Sequence, residues 1–349
     1  MEKGNLAFIP QANCIKNLKV YLDREGNLYP PSEIHSTDKD KFWNPNKHWR
    51  ITGDTTSKLK VYFDHQPEIL ENVCNQLDIE KDFNSLQTHL LQAYTKQINA
   101  EVAKGNKIVF LIHGFNSNQK NSKESFEALK IELNKKDNLS VVEMYWDGLS
   151  FSLGVGIWGA AQANSAFVGL GVRKLLNLIS SNAEIILLTH SLGASVATQS
   201  LFNVSKWSSE FQKEVDEKAK AIPTPPQKDI TLAMIAPAIP GKNTFDDLGE
   251  TTYDDTCHIN KIIVGYNKKD SALKKGIGLV LKKHFGSTSL GCNADNEVEK
   301  VKKKLAENFK EIQFHSFDLN IGLEDPENHS VKGYIEATNF QGFLDETIN

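Results

Sequence analysis

A chain of 349 residues with 40 basic and 44 acidic side chains has a formal charge of −4, which excludes a general attraction to nucleic acid or another polyanion. Its 40% hydrophobic and 24% charged content is that of a globular protein able to bury a full core. Cys14, Cys74, Cys257 and Cys292 are widely spaced and have no C-x-x-C pairing, so they read as reduced thiols, and neither a disulfide framework nor a zinc site is expected.

The opening MEKGNLAFIPQ lacks the apolar core of a signal peptide. The longest weakly polar stretch, Leu149–Val172, carries Gln162, Asn164 and several serines and makes a poor membrane span. A cytoplasmic location is expected, with export by a route that needs no signal peptide left open. Residues 1–83 read as a strand-rich accessory region or edge strands. Within them Leu18–Leu22 and Leu28–Tyr29 flank the turn-like Arg24–Asn27, and Trp49–Thr52 and Lys58–Phe63 flank Gly53–Thr56, two candidate hairpins around a polar loop, Pro30–Lys47.

Residues 84–349 read as one larger α/β unit. Ser85–Ala103 places Leu86, Leu90, Tyr94, Ile98 and Val102 at near-helical spacing and stops at Gly105, an amphipathic helix. A buried strand Lys107–Ile112, a helix Ser122–Lys135, a strand Leu139–Trp146 and a helix Ile157–Ser180 with a glycine-rich first half follow. Beyond Ile185–Leu188 and Ala194–Asn203 come a charged helix, a linker at Pro223–Pro226, strands Asp229–Ala236 and Lys261–Tyr266, a helix Glu297–Phe309 and a strand Ile312–Asp318. Strands alternating with helices predict parallel crossovers, hence a mostly parallel central sheet with helices on both faces.

The segment from Glu184 to Gly193, EIILLTHSLG, carries the sharpest signal. Ile185–Leu188 is too short for a helix and suits a strand buried on both faces, and a helix-competent segment begins directly after Gly193. A serine at such a break is what a nucleophile elbow requires. The pattern is G-x-S-x-G with Thr189 in place of the first glycine, a β-branched residue beside a tight turn. The N–H of Leu192 then lies at a helix N-terminus, where free donors favour a developing oxyanion.

Ligands of an open parallel sheet gather at the carboxyl ends of its strands. The strand Lys107–Ile112 ends in His113-Gly114-Phe115-Asn116, so this loop and the elbow face one crevice. Gly114 lets backbone approach a ligand, and the N–H of Phe115 is the expected second oxyanion donor. His113 reads as structural rather than as a proton carrier, on the substrate side of the crevice. Asp270 follows the strand Lys261–Tyr266 and His329 follows the last strand, so the order Ser191, Asp270, His329 is that of a nucleophile, orienting acid and base in α/β-hydrolases. Asp318, Asp325, Asp246, Asp247, Asp254 and Asp255 are rival acids, and His258, His284 and His315 rival bases.

On IVFLIHGFN, IILLTHSLGA, LAMIAPAIP, the aspartate of YNKKDSAL and the histidine of ENHSVKGYI, residues 106–349 resemble the α/β-hydrolase superfamily, most closely its lipase- and esterase-like branch. The resemblance implies an α/β-hydrolase fold and a serine hydrolase that cleaves a carboxylic ester through an acyl-enzyme, with a triad of Ser191, Asp270 and His329 and no metal or cofactor. Thioester hydrolysis and acyl transfer use the same residues, and a binding protein that keeps the fold without turnover is a further reading.

Two stretches bear on the substrate. Leu149–Val172 is rich in glycine and alanine with Phe151, Trp158 and Phe167 interspersed, either a small-residue helix packed on the sheet or an apolar wall that places Phe151 and Trp158 beside an acyl chain. Lys274, Lys275, Lys282 and Lys283, interleaved with Leu273, Ile277, Val280 and Leu281, form either an ordinary surface helix or a basic amphipathic segment that touches anionic membrane. The expected partner is a small-molecule or lipid ester.

Overall fold

The apolar runs form one sheet. In the computed structural model, which describes residues 17–30, 58–115, 117, 119–148, 158–204, 209–227, 229–246, 248, 259–274 and 288–349, seven strands pair in the order β1-β3-β2-β4-β5-β6-β7. They are β1 (Asn17–Leu22), β2 (Lys107–Ile112), β3 (Leu139–Trp146), β4 (Glu184–His190), β5 (Asp229–Ile235), β6 (Ile259–Tyr266) and β7 (Gln313–Asp318). Every pairing is parallel. Ile108–Ile112 and Ile185–Thr189 are buried along their whole length, as a strand covered on both faces must be. β7, at the edge, has no fully buried residue and mixes Phe314 and Phe317 with polar side chains.

Right-handed crossovers decide which face each helix covers. The β2-to-β3 connection, helix Gln119–Leu133, steps toward the β1 edge, whereas the other connections step toward β7, so this helix lies on the opposite face from the rest. Packing agrees. Helix Trp158–Leu176 touches each of Phe83–Val102, Gly193–Leu201 and Ser209–Lys220. Gln119–Leu133 touches Val331–Ile335, which meets Phe340–Ile348 over β5, β6 and β7. The chain is therefore an α/β protein with helices on both faces of a parallel sheet, the expected fold class.

The glycine-rich helix is a close-packed one. A β-carbon on Gly169 would lie 2.6 Å from Cβ of Gln199, and one on Gly171 would lie 2.3 Å from the carbonyl oxygen of Gly26. Small residues let helix Trp158–Leu176 meet both helix Gly193–Leu201 and the turn after β1. The stretch 149–157, with Phe151, lies outside the described residues, as do 275–287.

At the N-terminus one expected edge strand is present and the expected hairpins are not seen among the described residues. β1 pairs with β3 at the sheet edge, and Leu22 makes only a single antiparallel bridge to Leu28. The expected strand Lys58–Phe63 is a helix, Leu59–His65. The alternation of Leu59, Val61 and Phe63 mimics a strand, but Leu59, Tyr62 and Phe63 are the buried ones, the i, i+3, i+4 face of a helix. Lys58 offers this helix no side-chain cap. Buried Asp23 supplies one from a distance, its Oδ2 accepting the Leu59 N–H at 2.7 Å. The arm Trp49–Thr52 lies outside the described residues. Helices Pro67–Leu77, Val331–Ile335 and Phe340–Ile348 were not among the expected elements. Among the described residues no helix is long and apolar enough to cross a membrane.

Candidate active site

Four strand ends meet at one edge of the sheet. Ile112 pairs with Thr189, His190 with Ile235, Ile235 with Gly265, and Tyr266 with Asp318, so the residues following β2, β4, β6 and β7 emerge side by side.

Ser191 stands at the break after β4 with φ 54°, in the left-handed region that a β-carbon disfavours by roughly 1–2 kcal/mol. Its backbone is held on both sides: its N–H donates to the Ile235 carbonyl at 3.0 Å, and its carbonyl accepts N–H groups from Ala194 at 3.2 Å and Ala238 at 3.0 Å. Ala236, also left-handed at φ 45°, bends the chain after β5 so that Ala238 reaches it. Thr189 at the first glycine position costs little because it still belongs to β4, its hydroxyl turned toward the Ala233 carbonyl at 3.4 Å. The second glycine is the demanding one. A β-carbon on Gly193 would lie 2.5 Å from the carbonyl oxygen of Ile112 and 2.7 Å from that of His113.

Gly114 is equally constrained, since its β-carbon would meet Ser191 Oγ at 3.2 Å and the His190 carbonyl at 2.9 Å. The backbone of 114–115 thus passes directly beside the serine. The N–H groups of Phe115 and Leu192 have no acceptor among the described residues. His113 is 2% exposed, with Nδ1–H donating to the Gly114 carbonyl at 2.9 Å and Nε2 accepting the Trp146 N–H at 3.1 Å. Burial pushes it down to about 4 against those two hydrogen bonds, so the ring is neutral and braces the loop. Both of its nitrogens are engaged within the protein, so its side chain is not turned to a ligand. Phe115 meets Trp158 edge-to-face at 5.0 Å, and the indole N–H of buried Trp158 has no partner among the described residues.

His329 Nε2 lies 2.9 Å from Ser191 Oγ, and His329 Nδ1 lies 2.5 Å from Asp270 Oδ2. Asp270 follows β6 through a turn in which its N–H donates to the Asn267 carbonyl at 3.1 Å. It is fully buried. Burial alone raises a carboxyl group, but here His329, the Tyr334 hydroxyl and the Leu273 N–H together hold Asp270 below its usual range, so it is charged. The loop bearing His329 is tied to that turn by the N–H and hydroxyl of Ser271, both donating to the Glu327 carbonyl, at 3.2 and 3.1 Å.

The rivals stand elsewhere. Asp318 accepts the Asn320 N–H and Asp325 accepts the Glu327 N–H, each closing a local turn, and His315 pairs with Glu346. Asp247, Asp254, Asp255, His258 and His284 lie outside the described residues, as does the side chain of Asp246. Cys292 is no competing nucleophile, because burial and the charge of Asp270 push its thiol up to about 11.

Two neighbours escaped the sequence reading. His190 Nε2–H donates to the His329 carbonyl at 2.9 Å, its ring 4.8 Å from the His329 ring. Burial, then the His329 charge, push it down to about 3. Its only signal was adjacency to Ser191. Tyr334 donates its hydroxyl to Asp270 Oδ2 at 2.5 Å, and the only hint was Ser330, a capping residue that starts a helix just after His329.

A serine hydroxyl bonded to an imidazole, which in turn faces a buried carboxylate, is chemically equipped to attack a carbonyl while the ring takes its proton. Among the described residues no group of histidine, cysteine, aspartate and glutamate side chains has the arrangement to hold a metal ion.

No protein-family model matches the chain, and no curated protein does. Among solved structures, the crystal structure of Aspergillus fumigatus lipase B is similar at 18% identity and a TM-score of 0.23, over 40% of this chain. The chain spans about a quarter of that protein's length, 26%.

Proposed function

We propose that the protein is a serine hydrolase that cleaves a carboxylic ester through an acyl-enzyme on Ser191. The observation that carries this reading is the continuous hydrogen-bonded path from Ser191 Oγ through His329 to buried, charged Asp270. His329 Nε2 takes the proton as Ser191 Oγ attacks the ester carbonyl, and Asp270 fixes the Nδ1–H tautomer and stabilises the imidazolium. The carbonyl oxygen, now negative, is held by the N–H groups of Phe115 and Leu192. His329 returns its proton to the leaving alcohol, then activates a water that releases the acid.

Gly114 lies against the attacked carbon, where backbone rather than a side chain forms the wall. Phe115 and Trp158 form an apolar flank suited to an acyl chain. Such a flank favours an apolar or lipid ester over a small polar one, and contact of Lys274–Lys283 with an anionic surface belongs to that reading.

A series of p-nitrophenyl esters graded by acyl length, hydrolysed by wild type and by Ser191→Ala, tests it. Hydrolysis that rises with acyl length and vanishes in Ser191→Ala is expected. Equal rates in the two proteins refute it.

A further inference from the structure

One buried hydroxyl has no place in the steps above, although it touches the carboxylate that they require. Tyr334 is 1% exposed, and its hydroxyl shares Asp270 Oδ2 with His329 Nδ1, both at 2.5 Å, while Leu273 N–H holds Oδ1 at 3.0 Å. The phenol is enclosed beside His190, with 6.3 Å between ring centroids. It therefore meets no substrate.

We propose that Tyr334 is a positioning residue for the hydrolysis, one that fixes the rotation of the Asp270 carboxylate and tempers its negative charge so that the proton stays on His329. The proposal rests on the hydrolase reading of Ser191. With donors on both oxygens, rotation of the carboxylate about its Cβ–Cγ bond would break at least one charge-assisted bond, so Oδ2 stays aimed at Nδ1. Burial, followed by the charge of Asp270, pushes Tyr334 above its ordinary range, so the phenol remains a donor wherever Asp270 is ionised. Among the described residues, the other titratable groups acting on Asp270 or facing it are His329, His190 from the end of β4, and Cys292.

The local sequence delivers base and clamp together. Ser330 Oγ accepts the Gly333 N–H at 3.1 Å and caps helix Val331–Ile335 directly after His329. The Tyr334 N–H then donates to the Ser330 carbonyl at 3.1 Å. A β-carbon on Gly333 would lie 2.7 Å from Asn328 Nδ2, so this helix is also pinned against the residue preceding the base. His329 and Tyr334 therefore converge on one carboxylate oxygen from a single short segment.

A hydroxyl that merely fills the core would affect stability and leave the acid–base behaviour alone. The experiment measures kcat, KM and the pH profile of kcat/KM for p-nitrophenyl butyrate in wild type, Tyr334→Phe, Asp270→Asn and the double variant, with melting curves for each. Loss of one hydrogen bond to a charged group predicts a kcat about ten-fold lower in Tyr334→Phe, with KM nearly unchanged. Freed of the phenol, Asp270 holds the imidazolium more strongly, so the acid limb of the profile moves to higher pH. In the Asp270→Asn background the same substitution changes kcat by less than about two-fold, because both act through one group.

A wild-type kcat and acid limb in folded Tyr334→Phe overturns the proposal, as does an undiminished ten-fold loss on top of Asp270→Asn. Should Tyr334→Phe melt far below wild type, site-specific 3-fluorotyrosine at 334 keeps the hydroxyl and strengthens its donation. The acid limb then moves to lower pH, and an unmoved limb overturns the proposal. Wild type no faster than Ser191→Ala is a separate result, which refutes the hydrolase reading and takes this proposal with it.

Discussion

Gly114 stands so close to Ser191 that a β-carbon at position 114 would lie 2.7 Å from the serine's own. The second obstruction, the His190 carbonyl at 2.9 Å, is backbone and cannot swing aside. Any side chain here must push apart the β2 loop and the elbow. Gly114→Ala is expected to lower kcat/KM for an activated ester at least about a hundred-fold, since an ångström of misplacement at a reacting centre costs that much. Steady-state kinetics beside a melting curve check this. A folded variant with wild-type kinetics would remove the 114–115 backbone from the site.

His329→Ala and Asp270→Asn should each lower kcat by about three orders of magnitude or more, and combining either with Ser191→Ala should add little, because the three act as a unit. Asp318→Asn and His315→Ala remove groups engaged in a local turn and with Glu346, so their rates should stay near wild type. Near-normal turnover in Asp270→Asn, with loss in Asp318→Asn, would move the acid to the last strand.

Gly193 tests the elbow as a packing device. Its missing β-carbon would lie 2.5 and 2.7 Å from two carbonyl oxygens of the chain leaving β2. Gly193→Ala should cost more than about 3 kcal/mol of stability, as overpacking against fixed backbone does. Gly105→Ala, with nothing within 4 Å but φ +83°, should cost only the left-handed penalty of roughly 1–2 kcal/mol. Denaturant unfolding of both decides, and equal losses would refute the packing argument.

His113 couples the site's scaffold to pH. Burial pushes it from 6.5 down to about 4, so between those values the unfolded chain binds a proton that the folded chain refuses. Its contribution to stability is present above pH 6.5 and is lost as the pH falls toward 4, by about 2 kcal/mol between pH 7 and pH 5. His113→Gln should be the less stable protein at pH 7, and its deficit should shrink by about 2 kcal/mol at pH 5. His190 and Asp23 titrate in both proteins, so the difference isolates position 113. A deficit that is the same at both pH values would contradict this assignment.

The strands were legible because burial on both faces leaves an uninterrupted mark, as in Ile108–Ile112 and Ile185–Leu188, and parallel pairing then sends their carboxyl ends to one edge. That reasoning was enough to name Ser191, Asp270 and His329, which the fold brings into hydrogen-bonding distance. Tyr334 was hidden because nothing local to it distinguishes a phenol that meets Asp270 across 64 positions from one that fills the core. Helix Leu59–His65 was misread because its first turn is capped by Asp23, a residue 36 positions away, and because Leu59, Val61 and Phe63 alternate as a strand would. Thr189 departs from the usual glycine without consequence, since the steric demand falls on Gly193.

Covalent labelling tests most directly whether Ser191 is a nucleophile driven by His329. Incubation with a fluorophosphonate at neutral pH, followed by peptide mass spectrometry, should yield one adduct, on Ser191. It should be absent in Ser191→Ala and formed at least about a hundred-fold more slowly in His329→Ala. An unlabelled Ser191 in folded wild type, or labelling at an undiminished rate without His329, would contradict that role.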